Sequence, residues 1–112
     1  MKVNPHKAID FIIANGKKYA ESKAQRIYLE EFRKSQKAML MQEALEQGKV
    51  KTAAAAEVYA YAHAAYVEIL KGLQAAVEKE ETLRWGLVSA QARIDVWRSQ
   101  EASNRAFDKA VT

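Results

Sequence analysis

The chain has no cysteine, one proline and four glycines in 112 residues. Without cysteine there is no disulfide scaffold, no thiolate metal site and no cysteine nucleophile, and the absence fits a reducing cytoplasm. Pro5 is the only proline, so nothing after the start forces a helix to break. Long apolar runs are missing as well. The longest charge-free segment near the middle, Val58 to Val67, has ten residues, whereas a membrane span needs ~20. The opening stretch, Met1 to Asn15, has Asp10 inside its only apolar run. It does not read as a signal peptide. No membrane association is expected, and the expected location is the cytoplasm.

The residues that are present favour helix. Ala, Glu, Lys, Gln, Leu and Arg dominate, apolar residues make up 49% of the chain and charged residues 29%. This composition belongs to a folded all-α chain of one domain. The net charge of +4 is uneven. Residues 1–51 hold eleven Lys/Arg against six Asp/Glu, and residues 52–112 hold seven against eight, giving +5 and −1. A basic half can meet an acidic partner or nucleic acid, or can simply be a solvated helix face.

The clearest pattern lies between Tyr66 and Trp97. Steps of three and four residues pick out Tyr66, Ile69, Leu73, Ala76, Glu80, Leu83, Leu87, Ala90, Ile94 and Trp97. This is a heptad seam with Glu80 as its single polar interruption, and it predicts a long helix packed on another. Asn4-Pro5 provides a cap and a tolerated first-turn proline. Gly48 suits a left-handed stop. Together they predict a helix over about 5–47, roughly 65 Å long at 1.5 Å per residue. Thr52 can cap a short helix over about 52–62. A break near His63 leaves a second long helix over about 64–108, matched in length to the first, with the chain beyond Gln100 expected to fray.

These elements predict a long antiparallel helical hairpin with a short connecting helix. Matching the ends places Gly16 opposite Val96–Trp97, Ile27 near Trp85 and Phe32 near Glu80. The first helix carries one apolar side through Ile9, Ile13, Gly16, Ala20, Ala24, Ile27, Ala38 and Leu45. A second side collects Tyr28, Leu29, Phe32, Met39 and Leu40. A stripe this wide exceeds what one partner helix covers. The expected remedy is a two-fold homodimer forming a four-helix bundle, with Phe32, Met39, Leu40, Trp85 and Val88 at the interface. Tyr59 and Tyr61, at the expected tip with Tyr66, are further partner-surface candidates, since tyrosine is enriched at interfaces.

Catalytic patterns do not emerge. Neither His6 nor His63 has a glutamate three residues before it, and there is no His-Glu-x-x-His. Both histidines read as structural or incidental. No serine sits in a nucleophile elbow, and no phosphate loop exists. The acidic group Glu78, Glu80, Glu81 reads as a solvated face. No enzyme activity, cofactor or metal is expected. The remaining functional signal is basic: Lys23, Arg26, Arg33, Lys34 and Lys37 recur near one face of the first helix. Arg84 and Arg98 lie beside the seam of the second. Such a ridge can contact phosphates, although Glu30 and Glu31 interrupt it.

Three strings resemble a family of small helical bacteriophage and prophage proteins: Glu30-Glu31-Phe32-Arg33-Lys34-Ser35, Tyr59-Ala60-Tyr61-Ala62-His63, and Arg84-Trp85 together with Ala90 to Arg98. The resemblance implies an accessory phage protein made in the bacterial host cytoplasm and carries no activity with it. The expected function is a non-enzymatic helical interaction protein that self-associates and binds a protein partner. The alternative is a basic accessory factor that binds DNA or RNA in phage recombination or replication.

Overall fold

The computed structural model describes residues 2–111. It contains three helices, α1 (Pro5–Glu46), α2 (Ala53–Ala62) and α3 (Ala64–Val111), and no strand among the described residues. The ends of these helices follow from side-chain chemistry. Asn4 Oδ1 accepts from the backbone N–H groups of His6 and Lys7 at 3.0 and 3.2 Å, satisfying donors that the first turn leaves open. Gly48 adopts φ of 70°, where a side chain would be strained. Its N–H reaches the Leu45 carbonyl at 3.2 Å, and the Lys49 N–H reaches the Ala44 carbonyl at 3.0 Å. That pair of bonds is a Schellman closure of α1. Thr52 Oγ1 accepts from the Ala55 N–H at 3.1 Å and opens α2.

His63 makes the break between α2 and α3. Its backbone is extended, with φ −69° and ψ 139°, and its N–H donates to the Ala60 carbonyl. Its ring Nδ1 accepts from the Ala65 N–H at 3.0 Å. One residue thus closes α2 with its backbone and caps α3 with its side chain, a structural role for a histidine among alanines.

The chain forms two units, residues 1–21 with 81–112 and residues 22–80. α1 and α3 contribute to both, and within each unit they run antiparallel. In the first unit, Ala8 packs with Ala90 and Ile94, joined by Ile12. In the second, Leu40 packs with Ala60 and Tyr66, joined by Met41. All ten positions of the predicted seam, Tyr66 to Trp97, are buried or half-buried.

The pairing register differs from end-to-end matching. Glu80 meets Arg26, not Phe32. Gly86, not Gly16, receives a large side chain: a Cβ on Gly86 would lie 2.9 Å from Cζ of Phe11, whereas one on Gly16 would meet nothing within 4 Å. Trp97 lies instead beside residues 2–6. Specific side-chain fits in each unit therefore set the pairing, and matched helix ends do not. α3 also continues as helix to Val111 where fraying was expected, although residues 102–111 are exposed.

The inner side of α1 is a further correction. Ala8, Ile12, Ser22, Arg26, Leu40 and Ala44 are buried or half-buried. Ile9, Ile13, Ile27 and Leu45, which the apolar pattern favoured, are exposed, Ile13 at 74%. The inner side holds several small residues, which allow a close helix approach. The bulkier residues fall outside it.

These environments rank the glycines. Gly16→Ala and Gly72→Ala are expected to stabilise by ~0.5–1 kcal/mol each, because an open helical site gains propensity. Gly86→Ala should gain less than either, since the Phe11 ring must move aside. Gly48→Ala should cost about 1–2 kcal/mol through its positive φ. Urea unfolding of the four variants checks the order.

Candidate functional site

The second unit brings together the larger share of the predicted basic residues. Arg26 reaches from α1 to α3, where its Nε and Nη2 meet the two oxygens of Glu80 at 2.6 and 3.0 Å. Its Nη1 holds Glu30 at 3.1 Å, one turn along α1. Glu80 is only 6% exposed. A carboxylate at that depth needs a charged, geometrically matched partner, and the planar guanidinium fork supplies one. The Arg26 pKa is raised, chiefly by the hydrogen bond with Glu80 and further by Glu30, with desolvation opposing. Arg26 is therefore held by two carboxylates of this chain.

Beyond this pair lies a groove of about 490 Å³ lined by Arg33, Lys34, Lys37, Ala38, Met41, Tyr61 and Tyr66. Its α1 wall follows helical rows: Arg33, Lys37 and Met41 form one, and Lys34 with Ala38 the next. Lys37 Nζ donates to Tyr61 Oη at 2.7 Å, lies 3.7 Å from Glu57 and sits 4.4 Å from the Tyr61 ring centre. Its pKa is raised, first by the Tyr61 contact and then by Glu57, against desolvation. Tyr61 meets Tyr66 edge to face at 5.3 Å. Lys34 pairs with Glu31 on the open surface. Arg33 is half-buried, and among the described residues it has no hydrogen-bond or ion-pair partner. Lys23 is exposed on α1.

The other predicted cations lie in the first unit. Arg84 binds Glu81 through Nη2 at 2.7 Å and covers the Trp85 ring at 4.6 Å. Arg98 is exposed on α3.

The predicted interface residues divide in the same way. Trp85, 59% exposed, and Val88 stand on the open side of α3 in the first unit. In the second unit Met39 is exposed, and Phe32 is half-buried and stacked on Tyr28 at 5.9 Å. Tyr59 is half-buried and accepts from Lys49 Nζ at 3.1 Å. Leu40 is a correction: at 3% exposure it belongs to the core with Ala60 and Tyr66, so it has no side chain to offer a second chain. Sequence reasoning passed over Ala38 and Met41 as groove residues. Their signal was the i, i+4 spacing from Lys34 and Lys37.

Among the described residues no group of three or more His, Asp or Glu could hold a metal ion. Among the same residues no helix is long and apolar enough to cross a membrane. No protein-family model matches the chain, and no curated protein or solved structure shows significant similarity to it.

The Arg26–Glu80 pair makes an ordered prediction. Arg26→Met removes the matched cation from a buried carboxylate and should lower the urea midpoint further than Glu80→Gln, which leaves Arg26 its bond to Glu30. The double variant Arg26→Met/Glu80→Leu should recover much of the loss, because an apolar pair needs no counter-charge. Urea unfolding of the three variants, with m-values compared, checks the order.

Proposed function

We propose that the chain is a non-enzymatic helical interaction protein that self-associates through the outer apolar residues of its long helices and binds a protein partner. Exposed large apolar side chains are the observation that carries this reading: Ile9, Ile13, Trp85, Val88 and Val96 in the first unit, and Ile27, Tyr28, Met39 and Leu70 in the second. Apolar groups gathered on an open surface mark an interaction face. A two-fold interface uses the same patch from both copies, and a four-helix bundle is the simplest arrangement of that kind. The resemblance to small phage accessory proteins supplies the proposed setting, the host cytoplasm.

The alternative, a basic DNA- or RNA-binding factor, has less support. Arg26 holds Glu80 and Glu30, and Lys37 holds the Tyr61 hydroxyl. A phosphate would have to displace those partners.

Sedimentation equilibrium at micromolar concentration tests the proposal. The expected mass is twice the 12.6 kDa of the chain. Ile13→Lys and Trp85→Lys, both at exposed positions, should shift the protein toward monomer with unchanged helix content. A wild-type monomer mass would overturn the reading.

A further inference from the structure

We propose that the groove of the second unit docks a short acidic segment of a partner protein, with a carboxylate on Arg33 and Lys34 and an adjacent aliphatic side chain on Ala38 and Met41. The proposal rests on the reading of the chain as a protein-binding module and names the chemistry of what it binds. The groove volume, about 490 Å³, lies in the range of specific ligand clefts, about 300–1,000 Å³.

Arg33 is the first consideration. Arg33 is a half-buried residue with no hydrogen-bond or ion-pair partner among the described residues, so its charge is open to an incoming anion. Its fork matches a carboxylate in two-point geometry. Lys34 adds a second cation. Its bond to Glu31 is between two exposed groups, 65% and 67% open, so it is readily exchanged. Lys37 is held by Tyr61 and Glu57 and contributes positive potential and a fixed wall.

The rest of the lining selects against a nucleic acid base. Stacking needs an open aromatic face. One face of Tyr61 lies under the Lys37 ammonium, and its ring packs edge to face with Tyr66. Tyr66 is 7% exposed. Met41 and Ala38 complete the lining, and their aliphatic character, with the adaptable thioether chain of Met41, suits a leucine-like side chain. Cations beside an aliphatic floor fit alternating acidic and aliphatic residues in a peptide.

The test uses the full ¹⁵N-labelled chain titrated with three probes in ~50 mM salt, where charge contacts are weakly screened. The probes are a capped tetrapeptide alternating leucine and glutamate, its glutamine counterpart, and an eight-nucleotide oligothymidylate. The glutamate peptide should give saturable amide shifts confined to residues 33–41 and 59–66. The glutamine peptide should bind about tenfold more weakly, the scale of a lost charged hydrogen bond. Arg33→Met should show a similar loss, Arg33→Lys a partial one, and Lys23→Met, outside the groove, none. If Arg33→Met does not fold by circular dichroism, the wild-type comparison of the two peptides decides.

Equal responses to both peptides would overturn the proposal, as would the absence of saturable shifts up to about 5 mM. Tighter binding of the oligonucleotide at the same residues would replace it with a nucleic-acid site. Sedimentation of the same samples separates the two readings. A dimer that ignores the peptide removes the groove proposal alone, and a monomer that binds it removes self-association alone.

Discussion

A carboxylate placed inside an apolar seam constrains everything around it. Glu80 occupies the one polar position in a row that otherwise runs through Tyr66, Ile69, Leu73, Ala76, Leu83 and Leu87. Left alone at that depth, it would have to be neutralised or drawn out to water. Arg26 answers it with two bonds from a rigid fork, and Glu30 steadies the fork from behind. Sliding α1 against α3 by one turn would separate the two charges while both remained largely covered. An apolar seam alone tolerates such slips, because one leucine contact resembles the next. The pair adds less to net stability than to the choice of register, since burying charges offsets much of their attraction.

The contents of the α1 inner side follow from that register. Ala8, Ser22 and Ala44 are small, and Arg26 is committed to Glu80. Such a side brings the helices close but fills little volume, and among the described residues no large side chain is fully buried. Burial at about 25 cal/mol per Å² therefore yields a thin core within one chain. The bulk that would normally complete a core, from Ile9, Ile13 and Trp85, lies outside. The exposed bulk of α1 is thus a consequence of which of its residues face α3 within each unit.

The parts of the fold that were legible in the sequence are those that local chemistry decides. Asn4, Gly48 and Thr52 each act through groups within five residues of themselves, and each sits at a helix end for the expected reason. The seam of α3 was legible because one face of one helix obeys a fixed period. Which face of α1 meets it was not, because two candidate stripes satisfied the same period and hydrophobicity favoured the exposed one. The register was hidden for a related reason. Gly16 and Gly86 are both helical glycines flanked by helix formers, and only the partner helix distinguishes the open site from the one against Phe11. The candidate site was half-legible: the cations of α1 could be placed on one face, but their engagement by Glu80, Glu57 and Tyr61 depended on pairings that sequence spacing does not encode.

The break at His63 connects the fold to the groove. Had α2 and α3 formed one helix, Tyr61 and Tyr66 would sit five residues apart on a continuous helix, pointing about 140° apart by the 100° step of a regular helix. The extended backbone of His63 redirects the chain between them, and the two rings meet at 5.3 Å. Tyr66 then completes the core with Leu40 and Ala60, while Tyr61 stays at the rim, where Lys37 holds its hydroxyl. The same residue that ends α2 thereby turns a seam position into a groove wall. The cations and aliphatic residues of α1 gain an aromatic side, Tyr61 and Tyr66, that α1 could not supply alone.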